Sequence, residues 1–401
     1  MGAAALKGAG NAVSALGRGV AQVGKGAAGL AAGAASGLKR FSLKNGPLKD
    51  TRYGQDAEFR RRIIMSGVGA LCVFSICLIG TIAGGSGEGR TSSSQEAVSE
   101  NNTVEAEPVE AEAPVVMDRE PVSFTVSVFG DCTLGTDEYF DWDSSLNNYY
   151  DMYGADYFLE NVRDILEADD LTIANLEGAL TYAEEREDKT FAFKGEPEYV
   201  RILSDSGVEC ANTANNHSHD YGEESYQDTL DAMDQYGLKH FGYDEVLTMD
   251  VKGVKVGILG IYELDDHKER EPQLRANMQK LKDAGSEVII AIFHWGNELE
   301  EEPDENQIYL GHLAVDLGAN LVCGHHPHVL QGIEVYKGVN IFYSLGNFCF
   351  GGNTHPYDFD TAIFQQTFTV DANGVKQDNV TNIIPCCVSS DWDYNNYQPT
   401  P

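Results

Sequence analysis

The hydrophobic positions of the chain fall into three regimes. Up to residue 62 they are sparse, mostly Ala, Leu and Val broken by Gly. From Ile63 to Ala83 the sequence IIMSGVGALCVFSICLIGTIA carries no charge over 21 residues. At 1.5 Å per residue that run spans roughly 30 Å, the thickness of a bilayer core, and predicts one transmembrane helix. From Pro121 onward the apolar residues come in short runs divided by stretches of helical spacing. Strands are predicted at Phe124–Phe129, Leu171–Ala174, Gly207–Ala211, Val254–Ile261, 287–293 and 320–323. Helices are predicted at Tyr153–Leu166, Glu198–Leu203, Glu223–Tyr236, Gln273–Ala284 and Gln307–Leu317. Alternation of this kind argues an α/β domain. Later runs at 329–335, 340–343 and 361–370, with a turn at Tyr336-Lys337-Gly338, add a partly antiparallel second sheet. The domain is expected over 121–386, followed by a polar, aromatic tail over 387–401 that reads as loose.

Charge orients this arrangement. Residues 1–62 hold eleven Lys or Arg against three Asp or Glu, whereas the remainder holds 17 against 60. The basic segment, expected to be mostly disordered, ends in Arg60-Arg61-Arg62, directly before the apolar run. Basic before and acidic after place the N-terminus in the cytoplasm and the C-terminal domain outside the cell membrane. Residues 84–120 are rich in Gly, Ser, Glu, Pro and Ala, the composition of a solvated, self-repelling linker. With a formal net charge of -35, the chain is a poor partner for nucleic acid. Cys72 and Cys77 fall in the apolar run, and the six later cysteines show no disulfide framework. Cys132, Cys210 and Cys323 read as buried thiols, while Cys386-Cys387 are open to pairing in an oxidising compartment.

The candidate chemistry collects at strand ends. Asp131 follows the first strand and Glu177 the second. Asn216 and His217 follow the third; His294 follows the strand at 287–293; His326 and His328 follow the strand at 320–323. Loops just after strands are where an α/β sheet builds its site. Imidazole, carboxylate and amide oxygen together suit a divalent ion such as Zn, Mn or Fe. One or two ions are expected, and a pair roughly 4 Å apart would clamp a phosphate ester and activate water. His326-Pro327-His328 needs a turn, because an extended backbone would point its two imidazoles apart. His217 and His325 are the candidates to move a proton, with His325 alternatively orienting a neighbour. His219, Trp295 and Asn347 are candidates to line the substrate. Each has a structural alternative: a helix-start turn for His219, core packing for Trp295, a closed turn for Asn347. The acidic run from Glu298 to Glu305 reads as a solvated face.

A set of short motifs gives the chain a resemblance. Gly130-Asp131-Cys132-Thr133-Leu134-Gly135, Asn175-Leu176-Glu177 and Ala214-Asn215-Asn216-His217 with Asp220-Tyr221-Gly222 come first. His294-Trp295-Gly296, Gly324-His325-His326-Pro327-His328 and Tyr343-Ser344-Leu345-Gly346-Asn347-Phe348 follow in order. Together they resemble the CapA family of bacterial poly-gamma-glutamate capsule synthesis proteins, over roughly residues 124 to 352. The resemblance implies a fold similar to the calcineurin-like metallophosphoesterases: a two-sheet sandwich flanked by helices, four layers in all. It implies metal ligation by Asp131, Glu177, Asn216, His217, His294, His326 and His328. Thr133 departs from that pattern, which has a histidine there, and Glu177 stands where an aspartate is expected. The family role implies an anionic polymer such as poly-gamma-glutamate and the membrane subunits of a polymer synthase as partners.

Two functions fit these residues. One is a membrane-anchored, metal-dependent hydrolase or transferase in capsule polymer synthesis or export. The other is a non-catalytic assembly or export factor that binds polymer through the same cleft.

Overall fold

The computed structural model describes residues 119–401 apart from Asp265, Gln377 and Trp392. The predicted basic tail, the span at 63–83 and all but the end of the linker lie outside the described residues. No helix among the described residues is long and apolar enough to cross a membrane.

The strands in chain order are β1 (Val122–Thr133), β2 (Leu171–Leu176), β3 (Ala179–Leu180), β4 (Lys194–Gly195), β5 (Cys210–Asn212), β6 (Lys239–Phe241), β7 (Val246–Val251) and β8 (Val254–Glu263). They continue with β9 (Val288–Trp295), β10 (Leu321–His325), β11 (Ile333–Tyr336), β12 (Val339–Phe342), β13 (Asn347–Phe350), β14 (Asp360–Asp371), β15 (Gly374–Val375) and β16 (Val380–Cys387). The longer helices are α1 (Leu146–Tyr153), α2 (Gly222–Tyr236), α3 (Glu271–Asp283) and α4 (Glu305–Asp316). One sheet has eight strands in the order β15-β14-β1-β2-β5-β6, with β13 beside β1 and β16 beside β14. The second has six, β11-β12-β10-β9-β8-β7. The centres of both sheets are parallel, from β1 through β2 and β5 to β6 and from β12 through β10 and β9 to β8. Each sheet therefore delivers the loops after its central strands to one edge.

The result is a mixed α/β sandwich. Val126, Val128 and Ile173 of the first sheet meet Val256, Ile258, Ile290 and Ile292 of the second in one buried cluster. On the other face of the first sheet, Phe129, Ala174 and Ala211 pack with Leu146, Tyr150 and Met233 of α1 and α2. On the other face of the second, Leu259, Ala291 and Phe293 pack with Leu274, Met278, Leu310 and Ala314 of α3 and α4. Coverage on both faces explains why β2 and β9 are apolar runs rather than alternating ones; both are buried at every position.

Three expectations change. The helix predicted over Tyr153–Leu166 is largely replaced: Gly154 at φ 76° ends α1 at Tyr153, a 3-10 turn follows at Ala155–Tyr157, and α-helix is found only at Arg163–Leu166. The helix predicted over Glu198–Leu203 is a 3-10 turn running into one short α-turn. The C-terminal tail is packed rather than loose. Asn395 and Tyr397 are buried, the Tyr397 hydroxyl donates to the Ser144 carbonyl at 2.6 Å, and Thr400 bridges to Cys387. Polar residues there satisfy backbone groups of the body, which composition alone does not reveal. All six described cysteines are free and buried, Cys386 and Cys387 included.

Candidate metal centre

Asp131 enters the site from the last turn of strand in β1. Gly130 before it lies so close to the neighbouring chain that a Cβ would sit 2.3 Å from the Gly346 carbonyl oxygen. That approach lets the Asp131 amide donate to the same carbonyl at 2.9 Å and holds β13 against β1. Gly324 in β10 has the same role, since a Cβ there would meet Trp295 Nε1 and the Tyr343 carbonyl at 2.2 Å. His325 and His294 then stand side by side in register on β10 and β9.

Asp131 is fully buried and gathers three elements. Its Oδ1 accepts from Asn175 Nδ2 at 2.8 Å, and its Oδ2 accepts from the His326 amide at 3.1 Å. His325 Nδ1 lies 3.0 Å from Oδ1, out of line for a hydrogen bond, and neither His325 ring nitrogen has a hydrogen-bond partner. His328 Nδ1 lies 3.4 Å from Oδ2. Burial works to raise the Asp131 pKa, but His325 and His328 outweigh it and hold the carboxyl well below its usual range.

His294 sits between the sheets' edges. Asn175 Nδ2 lies 3.3 Å from its Nδ1, so Nδ1 accepts and Nε2–H donates to Asn216 Oδ1 at 2.8 Å. Burial, reinforced by His326, keeps this imidazole neutral, with its pKa well below the ordinary value. Burial lowers the His326 pKa to about 3. His328 goes the other way: burial lowers it, but Glu177 and Asp131 overcome this and carry it to about 10.

The expected turn in His326-Pro327-His328 is present in an unusual form. His326 has φ 95° and His328 φ 57°, left-handed backbone that costs a non-glycine residue on the order of 1–3 kcal/mol. This geometry turns both imidazoles toward Glu177. Ligand atoms of Glu177, His326 and His328 lie within 4.8 Å of one another. Both Glu177 carboxylate oxygens and His326 Nδ1 are buried without a hydrogen-bond partner. Burial, followed by the nearby Asp131 charge, raises the Glu177 pKa well above the carboxylate range against the pull of His328. A buried carboxylate without donors is a costly arrangement, and a cation is the group that resolves it. Donors about 2.0–2.2 Å from a Zn-like ion stand some 3–4 Å apart, so a slight contraction of these three residues would hold one. Two imidazoles and a carboxylate also match the donor preference of Zn, Mn or Fe.

His217 adjoins this cluster with its own support. Its Nδ1 lies 2.7 Å from Asp220 Oδ2, and Lys189 Nζ donates to Asp220 Oδ1 at 2.6 Å and to the Asn216 carbonyl at 2.7 Å. Asn215 pins the turn, accepting from the His217 amide at 3.0 Å and donating to the Leu176 carbonyl at 2.8 Å. Burial lowers the His217 pKa, with Asp220 opposing. Asn347 faces the cleft, its Oδ1 2.9 Å from His328 Nδ1. The loop after β9 folds over the histidine turn, with the Leu299 amide donating to the Pro327 carbonyl at 2.8 Å.

Two candidates lie elsewhere. Trp295 does not line the cleft: it is buried, stacked on Phe293 at 4.2 Å, with Nε1–H donating to the Tyr343 carbonyl at 2.8 Å. Strand alternation turns it toward the helices while His294 faces the site. His219 points outward, 3.3 Å from Glu223 and stacked on Tyr226 at 4.5 Å. Thr133, buried with an unpartnered hydroxyl, supplies no imidazole. The polar groups that the sequence does not mark as site candidates are Asn175, quoted only within a motif, and Asn212, joined at 2.8 Å beneath Asp131, and Lys189. Asn175 carries a signal as the one amide in a fully buried strand whose only other polar residue is Thr172; Lys189 carries none.

The family described as bacterial capsule synthesis protein PGA_cap matches residues 125–352, the stretch holding every residue of this cluster. A "Capsule biosynthesis protein CapA" of Bacillus anthracis is 31% identical over 267 residues, covering 60% of this chain and 63% of its own length. A "PGA biosynthesis protein CapA" of Bacillus subtilis (strain 168) is 30% identical over 261 residues, 60% of this chain and 67% of that protein. This chain therefore aligns to less than two thirds of the Bacillus anthracis relative. The crystal structure of a hypothetical protein from Thermus thermophilus superposes with a TM-score of 0.39 at 13% identity, covering 65% of this chain and 97% of that one.

Proposed function

The chain belongs to the bacterial capsule synthesis protein PGA_cap family, and from that premise we propose that it serves capsule polymer biosynthesis as a metal-dependent hydrolase or transferase. The observation that carries the chemistry is Glu177, whose two buried oxygens lack hydrogen bonds and face His326 and His328. Glu177, His326 and His328 would hold the ion, with Asp131, Asn216 and His294 beside them for a second. A bound divalent ion supplies Lewis acidity toward a phosphoryl or carbonyl oxygen and a lowered pKa for water. The chain's own residues do the rest. Asp220 holds His217 Nδ1, leaving Nε2 to exchange a proton with a leaving group or nucleophile. Lys189 donates to Asp220 Oδ1 and lies 3.4 Å from His217 Nδ1. The loop after β9 narrows access above the histidine turn.

Place and partners are part of the same proposal. The span at 63–83 anchors the protein in the bacterial cell membrane with its domain outside, within reach of an anionic polymer such as poly-gamma-glutamate and the membrane subunits that make it. The sandwich is of the calcineurin-like metallophosphoesterase type. Full-length protein purified in detergent would be assayed for bound metal and for turnover of phosphoester and gamma-glutamyl substrates. Stoichiometric metal, with turnover abolished by His217→Ala or His294→Ala, is expected. A metal-free protein that still assembles with polymer synthase subunits would overturn the catalytic reading in favour of an assembly or export factor.

A further inference from the structure

Five tyrosines gather where α1 meets the packed C-terminal segment, on a face that the metal chemistry does not use. Tyr149 lies 5.8 Å from both Tyr153 and Tyr157 and meets Tyr397 edge-on at 5.2 Å, while Tyr153 stacks on Tyr157 at 4.7 Å. Burial first, then Tyr394 and more weakly Asp391, pushes the Tyr149 pKa up, which puts Tyr394 and a carboxylate beside its hydroxyl. The cluster is open to solvent. Tyr153 is 56% exposed, Met152 before it 52% and Tyr394 38%. Large apolar side chains exposed side by side mark an interaction surface.

Charge says what the surface takes. No Lys or Arg occurs from 120 to 162 or from 377 to 401, the two stretches that build this face. Arg163, the first base after them, is held by Asp156 at 3.0 Å. Asp391 forms no ion pair among the described residues. Elsewhere the protein covers its surface tyrosines with its own cations: Arg186 over Tyr139 at 4.9 Å, Lys268 over Tyr309 at 5.1 Å and Lys337 over Tyr336 at 5.0 Å. Among the described residues no Lys or Arg stands over a ring of the α1 cluster. A tyrosine stacked on one face and open on the other, near an unpaired carboxylate, is an environment that a guanidinium or ammonium group fits.

We propose that this face docks a partner protein through a segment rich in Arg or Lys, with one cation on the open face of Tyr153 and another beside Asp391. The chain's own basic residues 1–62 are read as lying across the membrane, so the cations come from another protein. The assignment stands whether or not the cleft holds a metal. Full-length protein in an uncharged detergent is titrated with a short fluorescent peptide alternating Arg and Leu, and with its Glu and Leu counterpart. Physiological salt limits unspecific attraction to within about 8 Å of each charge. The Arg peptide binds and the Glu peptide does not. Tyr153→Ala weakens binding about two- to fivefold. Asp391→Asn, which keeps the oxygen that accepts from the Asp393 amide at 2.8 Å, also weakens it about two- to fivefold. Glu301→Gln, which removes one charge from the exposed loop after β9, leaves binding unchanged. Failure of the Arg peptide to bind, equal weakening by Asp391→Asn and Glu301→Gln, or undiminished binding in Tyr153→Ala or Asp391→Asn overturns the proposal. Tighter binding of a peptide of residues 38–62 would seat the chain's own segment there, and self-association lost in Tyr153→Ala would seat a second copy; either result also overturns it.

Discussion

Glu177→Gln separates a metal ligand from a structural carboxylate by the sign of its effect. Glu177 is fully buried, neither oxygen has a hydrogen-bond partner, and burial followed by Asp131 pushes its pKa up. In the metal-free protein the charge is therefore a burden, and the neutral isostere is expected to be as stable as wild type or more so. With metal the order reverses. A ligand present a hundredfold above its Kd stabilises the wild type by about 2.7 kcal/mol. For a domain of this size that is a rise of roughly 5–10 °C in Tm, taking about 2–4 °C per kcal/mol. Loss of the one anionic ligand of the triad reduces the rise to about 1–2 °C or less, provided affinity falls about a hundredfold or more. Calorimetry of chelator-treated protein, with and without added Mn or Zn, gives both numbers. If Glu177→Gln lowers the metal-free Tm while keeping the full metal-induced rise, the carboxylate holds the fold together and the centre has been placed wrongly.

Protonation gives a second prediction. His328 rises from an ordinary value near 6.5 to about 10 in the folded, metal-free protein, so its contribution to stability is complete below about pH 6.5 and is lost as pH rises through about 10. An ion must displace that proton, so apparent metal affinity should climb close to tenfold per pH unit between about 7 and 10; a flat profile by titration calorimetry would exclude His328 as a ligand. Asn175→Ala removes the amide joining Asp131, Asn212 and His294, and should cost about 2–4 kcal/mol in urea unfolding, since it strands buried partners; a cost under about 0.5 kcal/mol would show the network to be dispensable. Lys189→Met frees one side of Asp220 and should slow turnover about 10- to 100-fold with metal content unchanged; parallel loss of metal would instead make Lys189 a brace for the whole site.

The sequence exposed the parts of the site that lie at strand ends. Asp131, Glu177, Asn216, His294 and the 326/328 pair each follow an apolar run, so periodicity located them and topology brought them together. Sidedness was harder. Both sheets are covered on both faces, so β9 is apolar apart from His294, and nothing in Phe293-His294-Trp295 says which neighbour turns inward. The left-handed backbone at His326 and His328 was invisible for a related reason: the residues are not glycine, and only their joint orientation toward Glu177 requires it. Lys189 and Asp220 are 31 residues apart in different loops, and no local pattern couples them. The helix at Tyr153 looked continuous because its apolar spacing continues past Gly154, where the backbone turns away.

The packing of residues 394–401 has a consequence for the histidine turn. Asn395 donates to the carbonyls of Phe350 and Asn353 at 2.7 and 3.1 Å, bracing the segment whose Phe350 ring rests beside His328. A domain with both sheets formed but this segment detached would lack the strut behind one imidazole of the candidate metal centre. Removing residues 394–401 should leave circular dichroism nearly native while metal is captured weakly and released fast. Docking of this segment would then set the stiffness of the histidine turn from a distance.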